Sequence, residues 1–171
     1  MFKKKGISQI TAKAKGQDLI LERVFDAPKE AVFRAYKEAD QLVRWWGPNG
    51  WTLTHCSVDF RPGGSWHYCM SQDGGEMASW GKAVYNEIEE PDKIVYNDYF
   101  SDEEGGINPD MQQLLITLTF ETKGKMTKLI NRAHFASPEA LKSTLEMGLV
   151  QGMSQTWDRL AAHLKETAAG K

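Results

Sequence analysis

Cysteine is scarce in this chain: Cys56 and Cys69 are the only two among 171 residues. Two cysteines make no disulfide framework, and a reducing cytoplasm is the simplest compartment for them. Long hydrophobic runs are missing. No apolar stretch approaches the ~20 residues of a membrane span, and the N-terminus lacks the apolar centre of a secretory signal. A surplus of charge of one sign is missing too. A formal net charge of -2 gives no field that would draw in nucleic acid or an anionic membrane. The one basic run, Lys3-Lys4-Lys5, reads as a solvated tail. Basic and aromatic residues do not interleave on one face, which argues further against nucleic acid.

What remains is ordinary globular material, 41% hydrophobic and 26% charged, long enough for one domain with a proper core. One stretch stands out. "RWWGPNGWT", residues 44–52, sets Trp45, Trp46 and Trp51 around two turn signals, Gly47-Pro48 and Asn49-Gly50. An enclosed indole buries ~150–250 Å². At least two of the three are therefore expected to pin the turn onto a core, and some to face a cavity.

Residues 1–17 show no clear period and are expected to be loosely ordered. "DLILERVFD" reads as a strand. "PKEAVFRAYK" opens a short helix at Pro28, with Val32, Phe33 and Tyr36 on its apolar face. A second short helix spans roughly 39–45. Six period-two segments then follow in hairpin order around "RPGG", "EEPD" and "TKGK", which argues for an antiparallel meander. Residues 100–110 form the longest loop. Ser137-Pro138-Glu139 starts a long helix expected to reach about Lys165, with Leu145, Leu149, Met153, Trp157, Leu160 and Leu164 on one stripe. Gly148 and Gly152 border that stripe and suggest close packing of the helix backbone, or space left open beside it. Residues 166–171 are expected to form a flexible tail. The sheet has one face to bury and the long helix one stripe, so the sheet must curl around the helix.

The first hairpin can be given a register. A three-residue Pro62-Gly63-Gly64 loop sets Phe60 opposite Trp66, Val58 opposite Tyr68 and Cys56 opposite Met70 on the inner face. Asp59 then meets His67, and Ser57 meets Cys69, on the outer face. Cys56 is expected to react slowly with thiol reagents and Cys69 readily. His55, Cys56, His67 and Cys69 are zinc-binding residue types, but in this register they cannot converge, so no metal site is expected. No phosphate loop, dinucleotide fingerprint or metalloprotease motif occurs. No catalytic residue and no cofactor are assigned. Asn97, Asp98, Asn131, Arg132 and His134 are polar residues inside predicted strands. Alternation sends some of them inward, where each needs a side chain, a water or a ligand as partner.

"FDAPKEAVFRAY", "WWGPNGWT", "DFRPGGSWHYCM", "GKAVYNEIEEPDKIVYNDYFSDEEG" and "MGLVQGMSQTWDRLAAHL", in this order over residues 18–165, resemble the AHSA-type family. Its members are related to the C-terminal part of the heat-shock-protein-90 ATPase activator and belong to the START-like, or SRPBCC, superfamily. The resemblance implies an α+β helix-grip fold. A curved antiparallel sheet of about seven strands would wrap a long C-terminal helix, with two short helices after strand one, in a single domain over 18–165. That fold hosts binders, transporters and enzymes. The expected function is to hold a hydrophobic or amphipathic small molecule between sheet and helix. Trp66, Tyr68, Met70, Tyr85, Tyr96 and Met153 are the candidate wall residues, and loop 101–109 is a candidate lid. The alternatives are a cavity enzyme of the polyketide-cyclase or hydrolase kind and a chaperone-interaction module of the stress response. A homodimer stays open.

Overall fold

In the computed structural model, which describes residues 9–169, one antiparallel sheet carries the whole architecture. Its strands are β1 (Thr11–Lys15), β2 (Asp18–Phe25), β3 (Trp51–Val58), β4 (Ser65–Gln72), β5 (Ala78–Glu89), β6 (Lys93–Phe100), β7 (Leu114–Lys123) and β8 (Met126–His134). Their spatial order is β1-β2-β8-β7-β6-β5-β4-β3. The six strands from β3 to β8 are the expected meander, and β2 closes onto β8. Two short helices, α1 (Lys29–Lys37) and α2 (Ala39–Trp45), link β2 to β3. Two more, α3 (Pro138–Glu146) and α4 (Leu149–Ala169), end the chain.

The eighth strand, β1, lies in the segment expected to be loosely ordered. It pairs with β2 from Thr11↔Glu22 to Lys15↔Asp18. All five of its side chains are exposed, so it has no apolar alternation to betray it; backbone pairing alone holds it on the sheet edge. Residues 1–8, the rest of that expectation, lie outside the described residues. At the other end α4 continues through 166–169, where a tail was expected.

The single C-terminal helix is also corrected. Ser137 caps α3 as read, its Oγ accepting from the Ala140 N–H at 3.0 Å. The helix then stops at Met147, and Gly148 takes φ +93° before α4 begins. Glycine adopts that left-handed conformation without steric cost, which makes it a natural helix terminator. Gly148 therefore marks a break rather than a close approach. Gly152 inside α4 has no neighbouring atom within 4 Å of where a Cβ would stand, so the space beside it is open.

One end of the concave face is packed shut. Phe25, Phe33, Phe120, Leu118, Leu129, Ile94, Trp157 and Leu160 are all almost fully buried there. Trp157 meets Phe25 edge-on at 5.8 Å and donates its Nε1–H to the Tyr36 hydroxyl at 3.0 Å. Arg23, buried on the same face, is neutralised by Asp158 of α4 at 2.6 Å, as a buried guanidinium requires.

The tryptophan-rich turn is held from both sides. Trp45 is fully buried and donates to the Ala35 carbonyl at 3.1 Å. Arg159 of α4 donates from Nη1 to the carbonyls of Gly47, Pro48 and Trp51 at 2.7, 3.1 and 2.9 Å. Gln155 accepts from the Asn49 N–H at 3.1 Å. One guanidinium thus ties three carbonyls of the turn to the last helix.

Candidate functional site

The register of β3 and β4 differs from the expected one by two residues, which leaves every side chain on its expected face. Val58 pairs with Trp66, Cys56 with Tyr68 and Ser57 with His67. The connection is longer than three residues: the Asp59 N–H reaches the Ser65 carbonyl at 2.8 Å, and Arg61 and Gly64 close a turn inside it. The expected Asp59–His67 pair does not form. Asp59 instead holds Arg61 at 3.0 Å. A bulge between Leu53 and His55 shifts the phase further along, so that Leu53 turns inward opposite Met70.

On the concave face the strands bring together residues far apart in sequence. Trp66 stands opposite Ala83, which stands opposite Asp98. In the next row Cys56, Tyr68, Gly81 and Phe100 succeed one another. The small residues Gly81 and Ala83 leave a trough along β5 between the aromatic wall of β4 and the side chains of β6. Tyr68 leans into it. Its ring lies over Gly81, whose Cβ, if present, would stand 2.5 Å from the ring and hydroxyl. The Tyr68 hydroxyl thereby reaches across β5 and donates to Asp98 Oδ1 at 3.3 Å. Trp46 completes the wall, 4.8 Å from Trp66 and 6.3 Å from Tyr68 between ring centres.

Of the six expected wall residues, Trp66, Tyr68, Tyr85 and Tyr96 are buried on this face, and Met70 and Met153 are half-buried against the same core. Tyr85 and Tyr96 face each other across β5 and β6 with ring centres 6.4 Å apart. The Tyr85 hydroxyl has no hydrogen-bond partner in the protein, and the Trp66 indole N–H has only the Cys56 sulfur near it. Trp66 sits close enough to the Cys56 thiol to draw its pKa down, against the larger upward push of burial.

Asp98 was noted in the sequence only as a strand polar residue. Its side follows from counting by twos from Tyr96. It lies deep in the fold, and burial pushes its carboxyl up to about 7 against the lowering effect of the Tyr68 hydrogen bond. Yet Asp98 keeps part of its surface accessible, as do Met70, Leu114, Leu149, Gly152 and Met153. Part-buried groups on this face stay within reach of a molecule placed against it. Of the other strand polar residues, Asn131 is also buried on the inner face, opposite Leu21 and Leu118. Asn97 faces outward and accepts from Asn86 at 2.8 Å, while Arg132 and His134 bind Asp18 at 2.6 Å on the outer face.

This geometry can now be set beside known proteins. The pattern of the family described as "Activator of Hsp90 ATPase homolog 1-like protein" matches residues 26–165. The chain belongs to this family. With it comes membership of the START-like, SRPBCC superfamily, whose members commonly bind hydrophobic ligands. Among solved structures, a protein of Arthrobacter aurescens is similar at TM-score 0.83 and 27% identity, over 91% of each chain. A Mycobacterium smegmatis protein is similar at 0.79 and 28%, over 91% of this chain and 95% of that one. A Staphylococcus epidermidis protein is similar at 0.79 and 30%, over 92% and 94%. No curated protein matches the chain.

The helix-grip layout of the family therefore holds, with eight strands in place of about seven. Two expectations about its periphery do not. Loop 101–109, a candidate lid, is fastened to the convex face. There His67 Nε2 meets the Asp102 carbonyl at 2.9 Å and Lys82 donates to the Gly105 carbonyl at 3.0 Å. Cys69, expected to be open on that face, is 4% exposed. His55 and Trp80 stand opposite it on the two neighbouring strands, and their rings pack with His67 at 5.0–5.3 Å. Ring packing on the convex side is what covers the thiol. Among the described residues no group of three His, Cys, Asp or Glu is placed to hold a metal ion, and no helix is long and apolar enough to cross a membrane. A separate surface groove of about 410 Å³ runs between the start of α1 and the end of α4, lined by Ala27, Ala31 and Leu164 among others. It shares no residue with the concave wall.

Proposed function

We propose that the protein holds a hydrophobic or amphipathic small molecule on the concave face, between β4–β6 and the first two turns of α4. The observation that carries this reading is the incomplete closure of that end of the core. Met70, Leu114, Leu149 and Met153 are apolar, face the interior and keep accessible surface, and Gly152 has open space beside it. Apolar surface left open inside a fold gains free energy when a ligand covers it, ~25 cal/mol per Å². The partnerless Tyr85 hydroxyl is one of the few polar groups that such a site uses for orientation.

A cavity enzyme is the weaker reading. Asp98 with Tyr68 is a single acid–phenol pair, with no second acid and no histidine beside it on this face to divide acid and base roles. A chaperone-interaction role rests on the family's name alone. The test is native mass spectrometry of freshly purified protein, together with Nile red titration. A retained small molecule, or saturable dye binding displaced by fatty acids, flavonoids or polyketides, supports the reading. Absence of both a retained mass and saturable dye binding would reject it.

A further inference from the structure

We propose that Asp98 is the specificity-determining anchor of this site, accepting a hydrogen bond from a hydroxyl or ammonium group at the polar end of an otherwise apolar ligand. The inference rests on the binding reading above and narrows it to one ligand chemistry.

Three observations converge on it. The first is position. Asp98 follows Tyr96 by two on the concave face, across Ala83 from Trp66, and no other acid of the sheet shares that face. The second is unused capacity. A carboxylate has about four lone-pair sites. Asp98 receives one protein hydrogen bond, on Oδ1 from Tyr68 at a long 3.3 Å, and its residue keeps accessible surface. The third is how the position is built. Tyr68 can reach Asp98 only because β5 carries glycine at position 81, where any Cβ would collide with the phenol. A glycine inside a strand weakens it, and this one gives Asp98 an oriented neighbour. The Trp66 indole N–H on the same row is buried and turned to the Cys56 thiol, which leaves Asp98 as the group offered to a ligand donor. The elevated carboxyl pKa is consistent with a group that a ligand donor would satisfy.

The experiment uses the full chain, with Nile red as the reporter and three displacers of equal tail length: 1-decanol, decylammonium and 1-methoxydecane, which only accepts. The wild type is expected to favour decanol or decylammonium over the ether by about tenfold, the scale of one hydrogen bond to a charged group. In Asp98→Asn the decylammonium advantage is expected to disappear, with melting temperature and circular dichroism confirming the fold. Tyr68→Phe, which leaves the carboxylate in place, should keep the ranking. The Asp98 carboxyl ¹³C resonance should shift when decanol or decylammonium binds, and this readout needs no variant. Decanol and decylammonium separate the two donor classes by which displaces the dye at lower concentration. Equal displacement by all three, an unchanged ranking in folded Asp98→Asn, or an unmoved carboxyl resonance overturns the anchor while leaving the binding reading intact. Absence of saturable Nile red binding to wild type overturns both.

Discussion

The two ends of the concave face are built from the same materials and packed to different degrees. At the end toward α1, Phe25, Phe33, Phe120, Leu129 and Trp157 are 0–2% exposed and their rings interlock. At the end toward α3, Met70, Leu114, Leu149 and Met153 face inward and remain partly open, with a carboxyl among them. Close packing gives stability, because each buried side chain gains dispersion and loses contact with water. Open apolar surface gives that up in exchange for a place where another molecule can complete the core. The division follows α4: Trp157 and Leu160 in its middle are fully buried, while Leu149 and Met153 in its first turns, after Gly148, are only partly buried against the core.

The comparison is broken most forcefully by Trp157→Ala. At the closed end this change should cost ~3–5 kcal/mol in denaturant unfolding. Met153→Ala, at the open end, should cost ~1 kcal/mol, because no tight cavity forms where space already exists. Equal losses would mean that the two ends are packed alike.

Next in size is the pH dependence of Asp98. Its folded pKa is raised from the ordinary 3.8 to about 7, so the folded state binds a proton more tightly than the unfolded one. Stability from this group is fully present below pH ~4 and declines as pH rises towards 7. A rise from 3.8 to about 7, at ~1.4 kcal/mol per tenfold change in proton affinity, sets the scale at about 4 kcal/mol. Asp98→Asn should therefore be more stable than wild type at pH 8 and flatten the slope between pH 4 and 7. A slope left unchanged by the substitution would assign it to other groups.

The two strategic glycines should respond with opposite signs. Gly81→Ala forces a Cβ to within 2.5 Å of the Tyr68 ring and should destabilise by ~1–3 kcal/mol. Gly152→Ala meets nothing within 4 Å and should stabilise α4 by up to ~1 kcal/mol through helix propensity. The same methyl should weaken Nile red binding if the open space beside the helix is where the ligand lies. Thermal melts and dye titrations of both variants read this directly.

The smallest effect is in thiol reactivity. Cys56 is half-buried on the concave side, its pKa raised by burial, while Cys69 is buried under the convex rings. Both should react slowly, Cys56 before Cys69, and a bound ligand should slow Cys56 alone. Cys69 labelling first would show that the ring cluster of His55, His67 and Trp80 opens in solution.

Local chemistry was readable wherever a pattern repeats or a residue has one structural use. Period two gave β2 to β8, because alternate side chains must choose opposite faces. Pro28, Ser137 and Pro138 marked helix starts for reasons internal to the backbone. The aromatic wall was legible for the same reason: Trp66, Tyr68 and Met70 fall on the inward phase, and a register displaced by two residues cannot change it. What only the tertiary structure decided lies between elements. β1 has five exposed side chains and is a strand solely because β2 offers an unpaired edge. Gly148 interrupts an apolar stripe that keeps helical phase on both sides, so periodicity could not reveal the break. Cys69 is covered by rings that come from three separate strands. Asp98 becomes a candidate anchor only when the small residues of β5 let Tyr68 reach it from the strand beyond. Sequence spacing fixes which face a side chain takes; which neighbours meet it there, and whether they fill the space, depends on packing between strands and helices that no local pattern encodes.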